Sequence, residues 1–247
     1  MTVPRLLTAM ITPYDDKLQV NYAKAAELAE YLADNGTEGI VVSGTTGESP
    51  VLTDEEKLKL FAAVKGKLGK RIPVWAGTGS NDTKHSLELS KEAEKLGVDG
   101  VMLVCPYYNK PSQEGLYQHF KAIAGAVSLP VMLYNVPGRT VVNMEPSTSI
   151  RIANASPNLI AIKEAIDNMD QIMDLLHEKP EAFEVVAGDD ALALPIISLG
   201  ACGVISVIAN AYPKEFSNMV HAAMKGDMDE ARKYHYMLLP MKHTLLK

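Results

Sequence analysis

Leu96-Gly97-Val98-Asp99-Gly100-Val101 decides the fold, because its form recurs as Asn35-Gly36-Thr37-Glu38-Gly39-Ile40 and Leu199-Gly200-Ala201-Cys202-Gly203-Val204. In each copy one glycine closes a helix and a second opens the next strand. Outward from these joints, short apolar runs alternate with longer amphipathic ones. The strand candidates are Leu6–Ile11, Gly39–Ser43, Pro73–Gly77, Gly100–Cys105, Pro130–Asn135, Leu159–Glu164, Phe183–Ala187 and Gly203–Ile208. They are nearly continuous apolar runs with polar carboxyl ends, the pattern of parallel strands covered on both faces. Between and after them lie helix candidates at Asn21–Asp34, Asp54–Leu68, Asp82–Leu96, Gln113–Ala126, Pro146–Ala155, Asn168–His177, Ala191–Leu199 and Pro213–Lys225. Thr53, Asn81 and Ser112 are the expected N-caps. Eight strand–helix pairs in about 225 residues predict a TIM (β/α)8 barrel over residues 1–226, with an open doubly wound sheet as the alternative. Residues 227–247 predict one further helix, Met228–Lys247, interrupted at Pro240.

With 47% hydrophobic and 22% charged residues, the chain has an ordinary globular composition. A net charge of −6 without a basic cluster gives no electrostatic case for nucleic acid or anionic membrane. No secretory signal and no bilayer-length apolar stretch occur, so a cytoplasmic location is expected. Cys105 and Cys202 lie far apart in apolar runs and read as reduced core or near-core thiols. The six histidines show no paired ligand spacing, so no metal is expected. Gly77-Thr78-Gly79 fails as a dinucleotide fingerprint because Asp82 stands where the third glycine is required, and no P-loop occurs. No cofactor is therefore expected.

In a barrel the site forms at the carboxyl ends of the strands. Lys163, in Leu159-Ile160-Ala161-Ile162-Lys163-Glu164-Ala165, is the residue there that most needs a reason. An ammonium in an apolar strand is unfavourable. A desolvated lysine loses its proton more readily and attacks carbonyl carbon to form a Schiff base; the competing reading is a strand-end lysine whose head reaches water. Thr45 and Thr46, between Gly44 and Gly47, either offer hydroxyls and backbone N–H groups to a carboxylate or simply form a turn. Tyr134 and Tyr108 are candidate proton carriers, or amphipathic rim residues. Arg139 suits bidentate carboxylate binding, or a surface ion pair.

The segments Gly44-Thr45-Thr46-Gly47-Glu48-Ser49, Pro106-Tyr107-Tyr108-Asn109-Lys110-Pro111, Tyr134-Asn135-Val136-Pro137-Gly138-Arg139-Thr140, Ile162-Lys163-Glu164-Ala165, Gly188-Asp189-Asp190 and Gly203-Val204-Ile205-Ser206 cover nearly the whole chain. Taken together, and in this order, they resemble the dihydrodipicolinate synthase/N-acetylneuraminate lyase family. The resemblance implies a lyase that condenses pyruvate with aspartate 4-semialdehyde in the diaminopimelate route to lysine. It implies that Lys163 forms the pyruvate imine and that Thr45, Tyr134 and Tyr108 relay protons. Tyr108 is then contributed across a subunit interface, which implies self-association as a dimer or a dimer of dimers. It further implies that Thr46 and the Ile205 backbone hold the pyruvate-derived part, that Arg139 receives the semialdehyde carboxylate, and that Gly188 lines the site through its backbone.

Arg139 and the Thr45–Thr46 pair separate the chain from the sugar-acid aldolases of that family, which are the alternative reading. Asp189 and Asp190 argue against a phosphate-handling barrel isomerase. An inactive truncated scaffold is a further alternative, because the family pattern carries several helices after the barrel. Residues 227–247 read as a shortened remnant of that extension. The resemblance also points to an inhibitory lysine site at which Ser49, Asn81 and Tyr107 match. Asp54, Lys57 and His85 depart from it, and Lys57 repels a cationic ligand, so weak or absent lysine inhibition is expected.

Overall fold

Gly36, Gly97 and Gly200 take φ values of 99°, 75° and 111°, which end their helices in a conformation that costs glycine little. The second glycine of each joint is needed for space. A Cβ at Gly100 would lie 2.6 Å from the Trp75 ring, and one at Gly203 would lie 2.1 Å from the Arg5 carbonyl oxygen. Both positions begin strands that press against their neighbours at the amino-terminal rim of the sheet.

The computed structural model describes residues 2–245. Its strands are β1 (Leu6–Ala9), β2 (Gly39–Val42), β3 (Val74–Gly77), β4 (Gly100–Val104), β5 (Val131–Asn135), β6 (Leu159–Glu164), β7 (Glu184–Ala187) and β8 (Gly203–Ser206). All are parallel, and β8 returns to β1 with Leu7 opposite Ile205, so the sheet closes as β1-β2-β3-β4-β5-β6-β7-β8. The expected TIM barrel is the fold; the open sheet is not.

The helices are α1 (Tyr22–Asp34), α2 (Asp54–Leu68), α3 (Thr83–Lys95), α4 (Gln113–Ala124), α5 (Pro137–Thr140), α6 (Pro146–Ala155), α7 (Met169–Glu178), α8 (Ala193–Ser198), α9 (Pro213–Met224) and α10 (Met228–Leu245). Thr53 caps α2 in a reciprocal box with Glu56, and Ser112 caps α4 by accepting from the Gly115 N–H. The cap of α3 is Asp82 rather than the expected Asn81: Asp82 accepts from the N–H groups of Lys84 and His85. The backbone carbonyl of Asn81 accepts from the Asn109 side chain at 3.1 Å, which leaves Asn81 in the turn before the helix. The expected break at Pro240 is also corrected, since α10 runs through it. Proline there removes only one helical hydrogen bond, to the carbonyl of the exposed residue Tyr236. Leu246 and Lys247, the last residues of that expected helix, lie outside the described residues. Among the described residues no helix is long and apolar enough to cross a membrane.

Strand side chains alternate between two cores. Leu7, Val41, Trp75, Met102, Met132, Tyr134, Ala161, Val186 and Ile205 fill the barrel. Ile40, Leu103, Leu133, Ile162 and Val185 face outward against helix residues such as Phe61 and Phe120. Each fully buried side chain of this kind stabilises the fold by about 1.5–3 kcal/mol. The alternation has one consequence for chemistry. Ala161 points inward, so Lys163 does too, while Ile162 and Glu164 point outward.

Candidate active site

Lys163 stands at the last inward position of β6, opposite Tyr134 of β5. It is only 4% exposed. Its Nζ lies 4.1 Å from the centroid of the Tyr134 ring, and among the described residues no carboxylate forms a salt bridge with it. A cation over a ring face gains some attraction but no proton acceptor. The stem is held from the next strand end: a Cβ at Gly188 would come 3.0 Å from Lys163 Cε and 2.7 Å from Ala165 Cβ. Gly188 is thus the residue that leaves room for the lysine.

In front of Tyr134 opens a cavity of about 750 Å³ at the carboxyl ends of the strands. Thr45, Tyr134 and Arg139 line it, together with Ser43, Gly44 and Tyr107. Thr45 is carried on a tight turn whose entry and exit, Ser43 and Glu48, have φ values of 56° and 57°. Thr12 donates to the Gly47 carbonyl at 2.6 Å, and Glu48 N–H donates to the Thr45 carbonyl at 3.0 Å. Such strained, over-determined backbone is typical of functional turns. Arg139 rides on α5, which the sequence did not predict. Thr140 fixes that turn by donating to the carbonyls of Val136 and Val142. The arginine is exposed and, among the described residues, forms no salt bridge.

The remaining expected residues are not on the cavity wall. Thr46 lies half-buried in the same turn as Thr45. Ile205 is an inward, fully buried residue of β8. Tyr108 points away from the barrel of its own chain; it is 88% exposed and has a φ of 73°. The single chain therefore brings Lys163, Tyr134, Thr45 and Arg139 toward one place and leaves Tyr108 outside it.

Toward its outer end the cavity is lined by Asp54, Lys57 and His85. His85 Nε2 lies 2.8 Å from Asp54 Oδ2, and Lys57 Nζ lies 3.8 Å from Asp54 Oδ1. Burial pushes the Lys57 ammonium down from its ordinary value, and Asp54 partly offsets this. Among the described residues no three His, Cys, Asp or Glu side chains cluster as a metal site.

Two carboxyls beside the lysine were not given roles by sequence reasoning. Asp190 Oδ2 accepts from the N–H groups of Val207 and Ile208 at 3.0 and 2.9 Å, pinning the turn after β8. Burial pushes its pKa up, against those hydrogen bonds and the Lys163 charge. Its neighbour Asp189 meets Lys242 of α10 at 3.4 Å. Glu164, directly after the lysine, is 1% exposed on the outer face of β6. Burial pushes it up to about 8, with hydrogen bonds from Asn135 and the Ala165 backbone acting the other way. The one sequence signal for both was their position at polar strand ends.

Comparison with known proteins adds an independent line. The model of the dihydrodipicolinate synthetase family matches residues 2–247. The 4-hydroxy-tetrahydrodipicolinate synthase of Bacillus subtilis is 52% identical over 247 residues, which is 100% of this chain and 85% of that protein. The crystal structure of dihydrodipicolinate synthase from Aquifex aeolicus superposes with a TM-score of 0.96 at 42% identity, covering 98% of this chain and 82% of that one. The chloride-inhibited enzyme of Acinetobacter baumannii, complexed with pyruvate, superposes with a TM-score of 0.96 at 40% identity, covering 99% and 84% respectively.

Proposed function

This chain belongs to the dihydrodipicolinate synthetase family, and on that premise we propose that it condenses pyruvate with L-aspartate 4-semialdehyde, acting as a 4-hydroxy-tetrahydrodipicolinate synthase. The observation that carries this reading is Lys163, buried at the barrel mouth beneath Tyr134 and, among the described residues, in no salt bridge. Its neutral amine adds to C2 of pyruvate and expels water, giving an imine. Loss of a methyl proton makes C3 an enamine nucleophile. C3 attacks the aldehyde carbon, whose oxygen takes up a proton. The semialdehyde amino group then displaces Lys163 from C2 and closes the ring. Tyr134, Thr45 and Tyr108 shuttle these protons as a hydroxyl chain. Thr46 and the Ile205 backbone hold the pyruvate carboxylate, Gly188 keeps the lysine stem clear, and Arg139 takes the semialdehyde carboxylate as a fork. Incubation with both substrates should consume them together; cleavage of sugar acids without that condensation would place the chain among the aldolases instead.

Tyr108 reaches the site only from another copy in this reading, so the working enzyme self-associates. Its 88% exposure and left-handed backbone support that role, since they present a large ring outward, where a second copy can take it up. Tyr108→Phe should lose about 10²-fold in turnover while pyruvate still forms its adduct on Lys163. Turnover unchanged in this variant contradicts the relay. The working division is a catalytic barrel over residues 1–226 with residues 227–247 as a shortened helical extension, acting in the cytoplasm.

A further inference from the structure

Behind the reacting pair lies a buried polar knot for which the reaction as described has no use. Tyr134 and Lys163 face each other across β5 and β6 inside the barrel, and the next residues, Asn135 and Glu164, are paired in the same register. By strand alternation these two face outward. Asn135 Nδ2 donates to Glu164 Oε1 at 2.8 Å and to Asn143 Oδ1 at 2.9 Å. Asn135 Oδ1 accepts the Met144 N–H at 3.1 Å. Asn143 Nδ2 in turn donates to Gln171 Oε1 of α7 at 2.8 Å. One side chain on each catalytic strand is thereby tied to the segment after α5 and to α7. Asn135 is wholly buried, and Glu164 Oε2 is buried with no hydrogen-bond partner among the described residues.

We propose that Glu164 is a positioning residue: through Asn135 it locks the carboxyl ends of β5 and β6 together and so fixes how Tyr134 and Lys163 meet across the barrel mouth. This deepens the Schiff-base reading and rests on it. The lock needs an uncharged acid. A buried carboxylate with one oxygen unpartnered is strongly disfavoured, and among the described residues no cation forms a salt bridge with this one. Lys163 leaves the strand on the other side, while Asn135, Asn143, Gln171 and the Ala187 backbone opposite are neutral. The ionisable neighbour is the Cys105 thiol on the β4 side, itself pushed up by burial. Glu164 thus keeps its proton to about pH 8 against an ordinary 4.5. A folded-state value above the unfolded one means stability that is present in acid and lost as the pH rises between those two values.

The test compares the full-length parent with Glu164→Gln and Glu164→Leu, reading borohydride trapping of pyruvate on Lys163 and kcat per trapped site. Glu164→Gln keeps an acceptor for Asn135 and cannot ionise. It should stay within about twofold of the parent at pH 7, and its thermal stability should gain on the parent from pH 5 to 8. Glu164→Leu keeps the volume and loses the acceptor; misplacing the reacting groups should lower kcat per trapped site about tenfold or more, with the pyruvate KM little changed. A merely structural role would lower the number of trapped sites and leave kcat per site intact. Glu164→Leu with parental kcat per site overturns the proposal. If Glu164→Leu does not fold, Glu164→Gln decides: a stability difference flat from pH 5 to 8 overturns it. A parent that traps no pyruvate overturns the Schiff-base reading and this proposal together, whereas a parent that traps it while Glu164→Leu is unimpaired overturns this one alone.

Discussion

Replacing Lys163 with alanine is expected to lower turnover by on the order of 10⁴-fold or more, while the chain stays folded. Each tenfold loss is about 1.4 kcal/mol of transition-state stabilisation, so this is the largest single effect the site offers. The reason is chemical. Lys163 is the amine that meets Tyr134, its Nζ 4.1 Å from the ring centroid, whereas Lys57, the lysine on the cavity lining, lies near Asp54. Lys163→Ala removes the nucleophile and leaves the polar groups around it in place. Stability should change little, because among the described residues the lysine head forms no salt bridge whose partner would be stranded. A loss of about 1 kcal/mol would move the melting temperature by only about 2–4 °C in a domain of this size. Turnover within tenfold of the parent, measured with both substrates, contradicts the assignment.

Tyr134→Phe is expected to cost about 10²–10⁴-fold in kcat and to leave pyruvate capture intact. The phenylalanine ring keeps the packing against Lys163, whose Nζ sits 4.1 Å from the ring centroid. Only the hydroxyl is lost, and with it the proton carrier proposed at Tyr134. The variant should therefore still be trapped by borohydride with pyruvate, yet turn over slowly. Parental turnover shows that Tyr134 only packs; loss of trapping as well shows that its hydroxyl is needed earlier, in imine formation.

Much of this was readable in the chain because it depends on local patterns. The paired glycines mark the joints since one needs φ above zero and the other a bare Cα: Gly100 lies against Trp75 and Gly203 against Arg5. Continuous apolar runs mark strands sealed on both faces, and their polar ends mark the mouth. The proposed roles of Lys163, Tyr134, Thr45 and Arg139 start from those ends. What escaped was set by tertiary contact. Asn81 and Asp82 are both good caps in isolation; Asp82 takes the N–H groups of Lys84 and His85, while the Asn81 backbone carbonyl is held by Asn109, 28 residues away. The Asn135–Asn143–Gln171 knot around Glu164 joins residues up to 36 positions apart, and the Asp190 clamp on Val207 and Ile208 spans 17 and 18. Glu164 beside Lys163 looks like a partner for it on paper. Alternation along β6 puts the two on opposite faces of the sheet, so the acid supports the base from behind rather than pairing with it.

The most direct measurement is borohydride reduction of the protein with pyruvate, followed by peptide mass mapping. The predicted result is one reduced pyruvate adduct per chain, on the peptide that holds Lys163 and nowhere else. An unmodified Lys163 in folded protein that is consuming both substrates contradicts the Schiff-base chemistry.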